Sequence, residues 1–254
     1  MRKPVLEFQD VSFSYGGKKP ILDHLNVTVY EREFVTIIGA SGSGKSTLFR
    51  LITGLETEEH GRIRINSEQP KNRHGRTGYM PQQDLLMPWR TVLENAAVPL
   101  ELAGVSKKES SIRILPLLNE FGLNGAEHKY PSELSGGMKQ RVSFLRSILT
   151  GSNILLLDEP FSALDAITRL SMQEWLLDQW EKREKSILFI THDVNEALFL
   201  SDRIFVFQDT PVRTLQEVVV PLGRPRSLRD LNDPAVMELK DKLIDQLRGG
   251  VKRL

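Results

Sequence analysis

Residues Phe34 to Thr47 read FVTIIGASGSGKST, and no other stretch constrains the chain as tightly. Phe34-Val35-Thr36-Ile37-Ile38 is apolar and β-branched, the pattern of a buried strand. It runs into Gly39-Ala40-Ser41-Gly42-Ser43-Gly44-Lys45-Ser46, the spacing GxxxxGK[ST] of a phosphate-binding loop. Leu48, Leu51, Ile52 and Leu55 follow at helical spacing, so the loop opens a helix with one apolar face. Glycines let a backbone wrap closely around a polyphosphate with its N–H groups turned inward. The helix N-terminus adds positive potential and free donors. In such a loop Lys45 reaches the β- and γ-phosphates and the Ser46 hydroxyl ligates Mg²⁺.

The elements before the loop alternate apolar and polar. Val5 to Phe13 and Ile21 to Val29 read as half-buried strands, and Gly61 to Ile65 as a third, which predicts a small antiparallel β layer. Tyr15 stands in the turn Ser14-Tyr15-Gly16-Gly17, either as a half-buried turn aromatic or as a stacking platform for adenine. Beyond Met80, the stretch Pro81 to Arg90 is a loop rich in large apolar residues, Leu85, Leu86, Met87 and Trp89. It is either an ordinary buried loop or an exposed docking surface, since Trp is enriched at binding hot spots. From Thr91 to about Gly122 the pattern is helical, with Ser106 at a helix start. Residues 83–150 therefore form a helical insertion in an α/β chain.

Leu134-Ser135-Gly136-Gly137-Met138 precedes a helix carrying Val142, Leu145 and Leu149, and is either a capping turn or a second anion site. Asn153 to Pro160, NILLLDEP, is a buried strand ending in two carboxylates. Asp158 can hold Mg²⁺ there, and Glu159 can orient and deprotonate a water. A long helix to about Lys185 follows Phe161-Ser162-Ala163-Leu164-Asp165. The strand Ser186 to Ile190 then ends in Thr191-His192-Asp193, where open α/β sheets place their ligands. Strands are expected at Arg203 to Phe207 and Thr214 to Pro221. A C-terminal amphipathic helix starting at Asp233-Pro234 reads as a solvated appendage.

Composition narrows the class. The 254 residues are 40% hydrophobic and 26% charged, suited to one large α/β domain with a subdomain. The formal net charge of +1 argues neither for nor against nucleic acid. There is no Cys, hence no disulfide, thiolate metal site or cysteine nucleophile. No apolar run approaches the roughly 18 residues of a membrane span, and the N-terminus lacks a signal-peptide core. The chain is expected in the cytoplasm, reaching a membrane only through a partner.

Taken together the motifs resemble the nucleotide-binding subunits of ABC ATPases. GASGSGKST matches Walker A, LSGGM the family signature, ILLLDEP Walker B and SALD the D-loop. Thr191-His192 matches the switch-histidine loop, Gln82 the Q-loop glutamine and Tyr15 the adenine-stacking aromatic. The resemblance runs to about residue 210. Met138 departs from the commonest signature, which ends in Gln. The segment QQDLLMPWRTVLENAAVPLEL is similar to a bacterial importer subgroup serving nitrate, aliphatic sulfonates, taurine and pyrimidine precursors of thiamine.

The resemblance implies an α/β fold: a P-loop NTPase (RecA-like) core with an N-terminal antiparallel β layer and a helical insertion subdomain. Residues 1–254 form a single ABC ATPase domain, with 1–82 and 151–210 as catalytic core and β layer, 83–150 as the helical signature subdomain and 211–254 as the C-terminal appendage. It implies ATP and Mg²⁺ as cofactors. Tyr15, Gly39, Ala40, Ser41, Gly42, Ser43, Gly44, Lys45, Ser46 and Thr47 would hold the nucleotide. Ser135, Gly136, Gly137 and Asp165 would complete it from a second copy of the chain. Ser46, Gln82 and Asp158 would organise the metal and water, with Glu159 as base and His192 on the γ-phosphate. Implied partners are that second copy in an ATP-sandwich homodimer, membrane permease subunits and, indirectly, a solute-binding protein, at the cytoplasmic face of the membrane and with no nucleic acid. DNA-maintenance ABC ATPases carry long coiled coils or zinc modules between the motif halves, and the span from Leu48 to Glu133 is too short for either. Translation-associated members carry two motif sets, and this chain has one.

Overall fold

A computed structural model describes residues 2–17, 19–40, 42–208 and 210–251, with side chains to residue 248. In chain order the strands are β1 (Pro4–Phe13), β2 (Leu22–Tyr30), β3 (Phe34–Gly39), β4 (His60–Ile65), β5 (Gly78–Met80), β6 (Ile154–Asp158), β7 (Ser186–Ile190), β8 (Arg203–Phe207) and β9 (Gln216–Val219). The helices are α1 (Lys45–Thr53), α2 (Val92–Leu102), α3 (Lys107–Glu120), α4 (Gly136–Ile148), α5 (Ala166–Arg183), α6 (Val194–Leu200) and α7 (Pro234–Val251).

Two sheets carry the fold. β1, β2 and β4 form the expected antiparallel layer in the order β2-β1-β4. Their alternate residues, among them Leu6, Phe8, Val27, Val29, Ile63 and Ile65, point into a core shared with α1 and the second sheet. That second sheet runs β5-β6-β7-β3-β8-β9, parallel except for β9, which returns antiparallel to β8. β3, β6 and β7 are buried at every residue, the signature of strands covered on both faces. This order decides where the site lies. The carboxyl ends of β5, β6, β7 and β3 are neighbours, so the loops after Met80, Asp158, Ile190 and Gly39 share one edge.

The helical stretch predicted from Thr91 to Gly122 is two helices. Thr91 closes a full capping box with Glu94 at the start of α2, and Ser106 caps α3. α2 packs on α3 and on α4, in a cluster with Ala96, Leu100, Ile114, Leu118 and Val142.

The C-terminal helix corrects the expectation of a solvated appendage. Val236 and Leu243 of α7 are buried against Ile38, Val194, Leu198, Ile204 and Val206, so one face belongs to the core. The apolar spacing is what places that face. Only the opposite face, with Lys242 paired to Glu238, meets solvent.

Candidate nucleotide site

The loop between β3 and α1 is built by its glycines. Gly39 has no room for a side chain: a Cβ would stand 2.7 Å from Phe207 Cβ on β8. Gly42 and Gly44 hold φ of 80° and 99°, which L side chains disfavour. A Cβ on Gly44 would also meet Ile21, at 2.5 Å, from the turn that carries Tyr15. Ser43 N donates to Ala40 O at 3.2 Å, closing the loop, and Leu48 N to Gly44 O at 3.1 Å begins α1. Ser41 lies outside the described residues.

Lys45 is buried and curls back over the loop, donating to Gly39 O at 2.9 Å and Ala40 O at 2.8 Å. Burial lowers its pKa, and the nearby Glu159 and Asp158 carboxylates push it back up. The Ser43 hydroxyl is buried without a protein partner. A buried polar atom in such a state fits a loop made to meet an anion. Thr47 is buried in the first turn of α1, and Ser46 faces outward.

Asp158 ends β6 next to this loop. Burial pushes its carboxyl up, and the Ser46 hydroxyl pulls it down by hydrogen bonding. A serine hydroxyl, an aspartate and a glutamine amide form an all-oxygen donor set suited to Mg²⁺. Tyr79 of β5 reaches Asp158 Oδ2 with its hydroxyl at 3.5 Å. Burial first, and then Asp158, raises the Tyr79 hydroxyl to about 12.

Glu159 is the meeting point of the edge. Its backbone is left-handed, φ 44°, held by N–H donation to Ile190 O of β7 at 2.9 Å. For a non-glycine residue this conformation is uncommon and must be maintained by its surroundings. Its carbonyl accepts the Ser162 hydroxyl at 2.9 Å. Gln82 Nε2 lies 3.2 Å and His192 Nδ1 3.3 Å from the same oxygen, Oε2, of its carboxylate. Residues from the loops after β5, β6 and β7 thus converge on one atom.

His192 is positioned by a buried group that sequence reasoning did not single out. Thr191 donates from its hydroxyl to Glu196 Oε2, and Gln173 of α5 donates to Glu196 Oε1 at 3.0 Å. Asp193 caps α6 and its own N–H donates to Thr191 Oγ1 at 3.0 Å. Burial raises the Glu196 pKa. A Glu three residues into a helix looks like ordinary first-turn chemistry, so nothing in the sequence marked it. Tyr79 was equally hidden, as the middle residue of a three-residue strand.

The signature residues stand apart. Ser135 Oγ accepts from Met138 N at 3.3 Å and caps α4. Gly136 and Gly137 press against the start of α5: a Cβ would lie 3.1 Å from Leu164 and 3.3 Å from Thr168, respectively. Asp165 caps α5, accepting from Thr168 N at 3.0 Å, and hydrogen bonding from the Thr168 hydroxyl first, and then from its N–H, holds the Asp165 carboxyl below the ordinary value. Among the described residues, no hydrogen bond or ion pair joins Ser135, Gly136 or Gly137 to the loop 39–47. Tyr15 is 38% exposed, edge-on to Phe13 at 4.9 Å, with Arg50 Nη1 donating to its hydroxyl at 3.4 Å.

The sequence profile described as "ABC transporter" matches residues 22–162. The formylaminopyrimidine import ATP-binding protein ThiZ of Halalkalibacterium halodurans is 51% identical over 253 residues, covering 100% of this chain and 95% of that protein. The nitrate import ATP-binding protein NrtD of Synechocystis sp. is 38% identical, covering 96% and 95%. Among solved structures, the dimeric post-hydrolysis state of the ATP-binding cassette MJ0796 bound to ADP and Pi superposes with a TM-score of 0.71 at 29% identity, over 86% of this chain and 100% of that one. Profile, relatives and superposition agree with the geometry at the edge of the parallel sheet, and the chain belongs to the ABC transporter family.

Proposed function

We propose that this chain is the ATP-hydrolysing subunit of a bacterial importer, working as a homodimer docked to a separate membrane permease. The observation that carries the reading is the shared Glu159 carboxylate, flanked by Gln82 and His192 and set beside Lys45 and Asp158. Lys45 and the amides of the loop 39–47 bind the phosphates. Ser46, Asp158 and Gln82 would hold Mg²⁺, which supplies charge neutralisation at the β- and γ-phosphates when bound. Glu159 takes the proton of the water that bonds to the γ-phosphorus, while the bond to the β–γ bridging oxygen breaks and ADP leaves. His192, kept in place by the Thr191–Glu196 contact, steadies the γ-phosphate. The import role is supported by the names of the 51% and 38% identical relatives. The solute is a small one of the nitrate, sulfonate, taurine or thiamine-pyrimidine-precursor type, delivered by a companion solute-binding protein.

Ser135, Gly136 and Gly137 serve the nucleotide of the opposite chain, a reading supported by the lack, among the described residues, of any hydrogen bond or ion pair from them to their own phosphate loop. Mixed dimers test this. With Lys45→Ala in one chain and Gly136→Asp in the other, both defects fall on one site and the second site stays intact. With both changes in one chain and none in the other, each site carries a defect. The first arrangement should retain roughly half of wild-type phosphate release and the second almost none, since a lost phosphate contact removes transition-state stabilisation. The reverse ranking would mean that each chain uses its own signature, and the sandwich would be wrong.

Tyr15 would stack on adenine with its exposed face. Tyr15→Ala should weaken ATP binding by roughly 1–3 kcal/mol, by analogy with base–aromatic stacking, and Tyr15→Phe should change little. Titration with a fluorescent ATP analogue separates the variants. Equal affinity for wild type and Tyr15→Ala would make Tyr15 a turn residue packed on Phe13 and nothing more.

A further inference from the structure

On the antiparallel layer, three side chains from three strands meet. His24 Nδ1 of β2 lies 2.7 Å from Asp10 Oδ1 of β1, and His60 Nε2 of β4 lies 2.9 Å from Asp10 Oδ2. The two imidazoles are 5.5 Å apart between centroids, and one ligand atom from each residue lies within 4.8 Å of the others. We propose that Asp10, His24 and His60 form a surface binding site for one divalent transition-metal ion of the Zn²⁺ type.

The backbone brings these groups together without the ion. Asp10 and His24 both have left-handed backbones, φ 59° and 55°, at irregularities in the β1–β2 pairing. Asn26 ties them, its Oδ1 accepting from Asp10 N at 3.0 Å and its Nδ2 donating to His24 O at 3.1 Å. Ser12 Oγ accepts from His24 N at 2.9 Å. Beside His60, Gly61 lets β4 approach closely, since a Cβ there would collide with the Asp10 carbonyl. Residues held in sparsely populated conformations concentrate at ligand clamps.

The donor chemistry selects the metal. Two imidazoles and one carboxylate suit Zn²⁺ and its neighbours, while Mg²⁺ prefers oxygen alone. The site therefore does not compete for the metal of the nucleotide. Ligation at about 2.0–2.2 Å sets neighbouring donor atoms roughly 3.3–3.5 Å apart, so the 2.7 and 2.9 Å contacts must open while the three ligand atoms, now within 4.8 Å of one another, gather around the ion. All three side chains are exposed to solvent, so no packed neighbour opposes that adjustment. His24 Nε2, the nitrogen left over, faces Asp23 Oδ1 at 3.8 Å, an outer carboxylate of the kind that orients metal-bound histidines. Three ligands leave a fourth position for water. The ion would tie β1, β2 and β4 together near the end of β1 that leads to the Tyr15 turn.

Calorimetric titration of the full chain with Zn²⁺ alone, in nucleotide-free buffer, tests the site. One equivalent should bind and raise the melting temperature, and Mg²⁺ should produce no such shift. Asp10→Asn, which still tolerates the left-handed backbone, and His60→Gln should each weaken Zn²⁺ at least about 10-fold. Both variants should melt like wild type without metal and hydrolyse ATP normally. Absence of a one-equivalent Zn²⁺ event overturns the proposal and leaves the cluster as surface ion pairs. Binding unchanged in both variants also overturns it, and loss of that binding in His192→Ala would put the ion at the nucleotide edge.

Discussion

Glu159→Gln is expected to bind ATP with near wild-type affinity and to lose about 10²–10⁴ of its turnover, the usual worth of a positioned base. The amide keeps the shape of the carboxylate and removes its capacity to take a proton. The structure adds reasons why the loss should be specific. Glu159 is fixed from both sides of its backbone, by Ile190 O and by Ser162, so a Gln there keeps its position. The substitution changes the partners at the tip: where the carboxylate accepts from Gln82 and faces His192, an amide presents only one acceptor oxygen. If ATP is held between two chains as proposed, it stabilises the dimer by mass action, and a subunit that cannot hydrolyse it should accumulate as an ATP-dependent dimer. Single-turnover phosphate release and size exclusion with and without ATP read the two effects. Turnover within a few-fold of wild type would remove Glu159 from the role of base, leaving His192 as the group to examine.

What could be read in advance of the structure follows from how local the physics is. The strand Phe34–Gly39, its glycine loop and α1 are consecutive, and the pattern of apolar residues and glycines suffices to identify them. β6 and β7 are equally plain because burial on both faces writes an unbroken apolar run. β5 was invisible as a strand: three residues are too short for any periodicity, and Gly78 is there because a Cβ would press on Ser147 and Leu155. The meeting of Gln82, Glu159 and His192 depends on the order β5-β6-β7, which is a property of the whole sheet and not of any segment. The left-handed Glu159 follows from Ile190 and Ser162, again through space. α7 shows the converse. Its apolar stripe at Val236, Leu239, Leu243 and Leu247 was legible, but the surface it packs on comes from β3, α6 and β8.

Trp89→Ala is expected to leave the isolated subunit unchanged in melting temperature and basal ATPase, and to impair its assembly with the permease. The residues of this loop allow two roles, core or docking surface, and exposure separates them. Trp89 is 73% exposed, so its truncation opens no cavity and the cost of lost core packing does not apply. Its neighbours are divided: Leu86 is buried, and Leu85 is exposed with φ 46°. The loop is nonetheless tied at both limbs by hydrogen bonds. Asn95 of α2, fully buried, accepts from Met87 N at 2.8 Å and donates to the carbonyls of Met87, Arg90 and Thr91. Arg146 of α4 grips the other limb, donating to Asp84 O at 2.6 Å and Leu85 O at 2.8 Å. A preorganised loop that holds an aromatic ring in water loses little entropy on binding and places the ring as an anchor. The same loop begins at Gln82, whose amide touches Glu159, so a partner seated on Trp89 is a few residues from the hydrolysis edge. If Trp89 is a hot spot, Trp89→Ala should cost about 2 kcal/mol or more of docking, roughly a 30-fold loss of affinity. Asn95→Ala should behave differently: it leaves Met87 N and Arg90 O without their partner, while Met87 O and Thr91 O keep the N–H groups of Arg90 and Asn95, and it lowers the melting temperature and disturbs the loop together. Co-purification with the permease, alongside thermal melts of the free subunits, distinguishes the two. A Trp89→Ala subunit that assembles with wild-type affinity would move the anchor to Leu85 or Met87, and one that melts far below wild type would return Trp89 to a packing role.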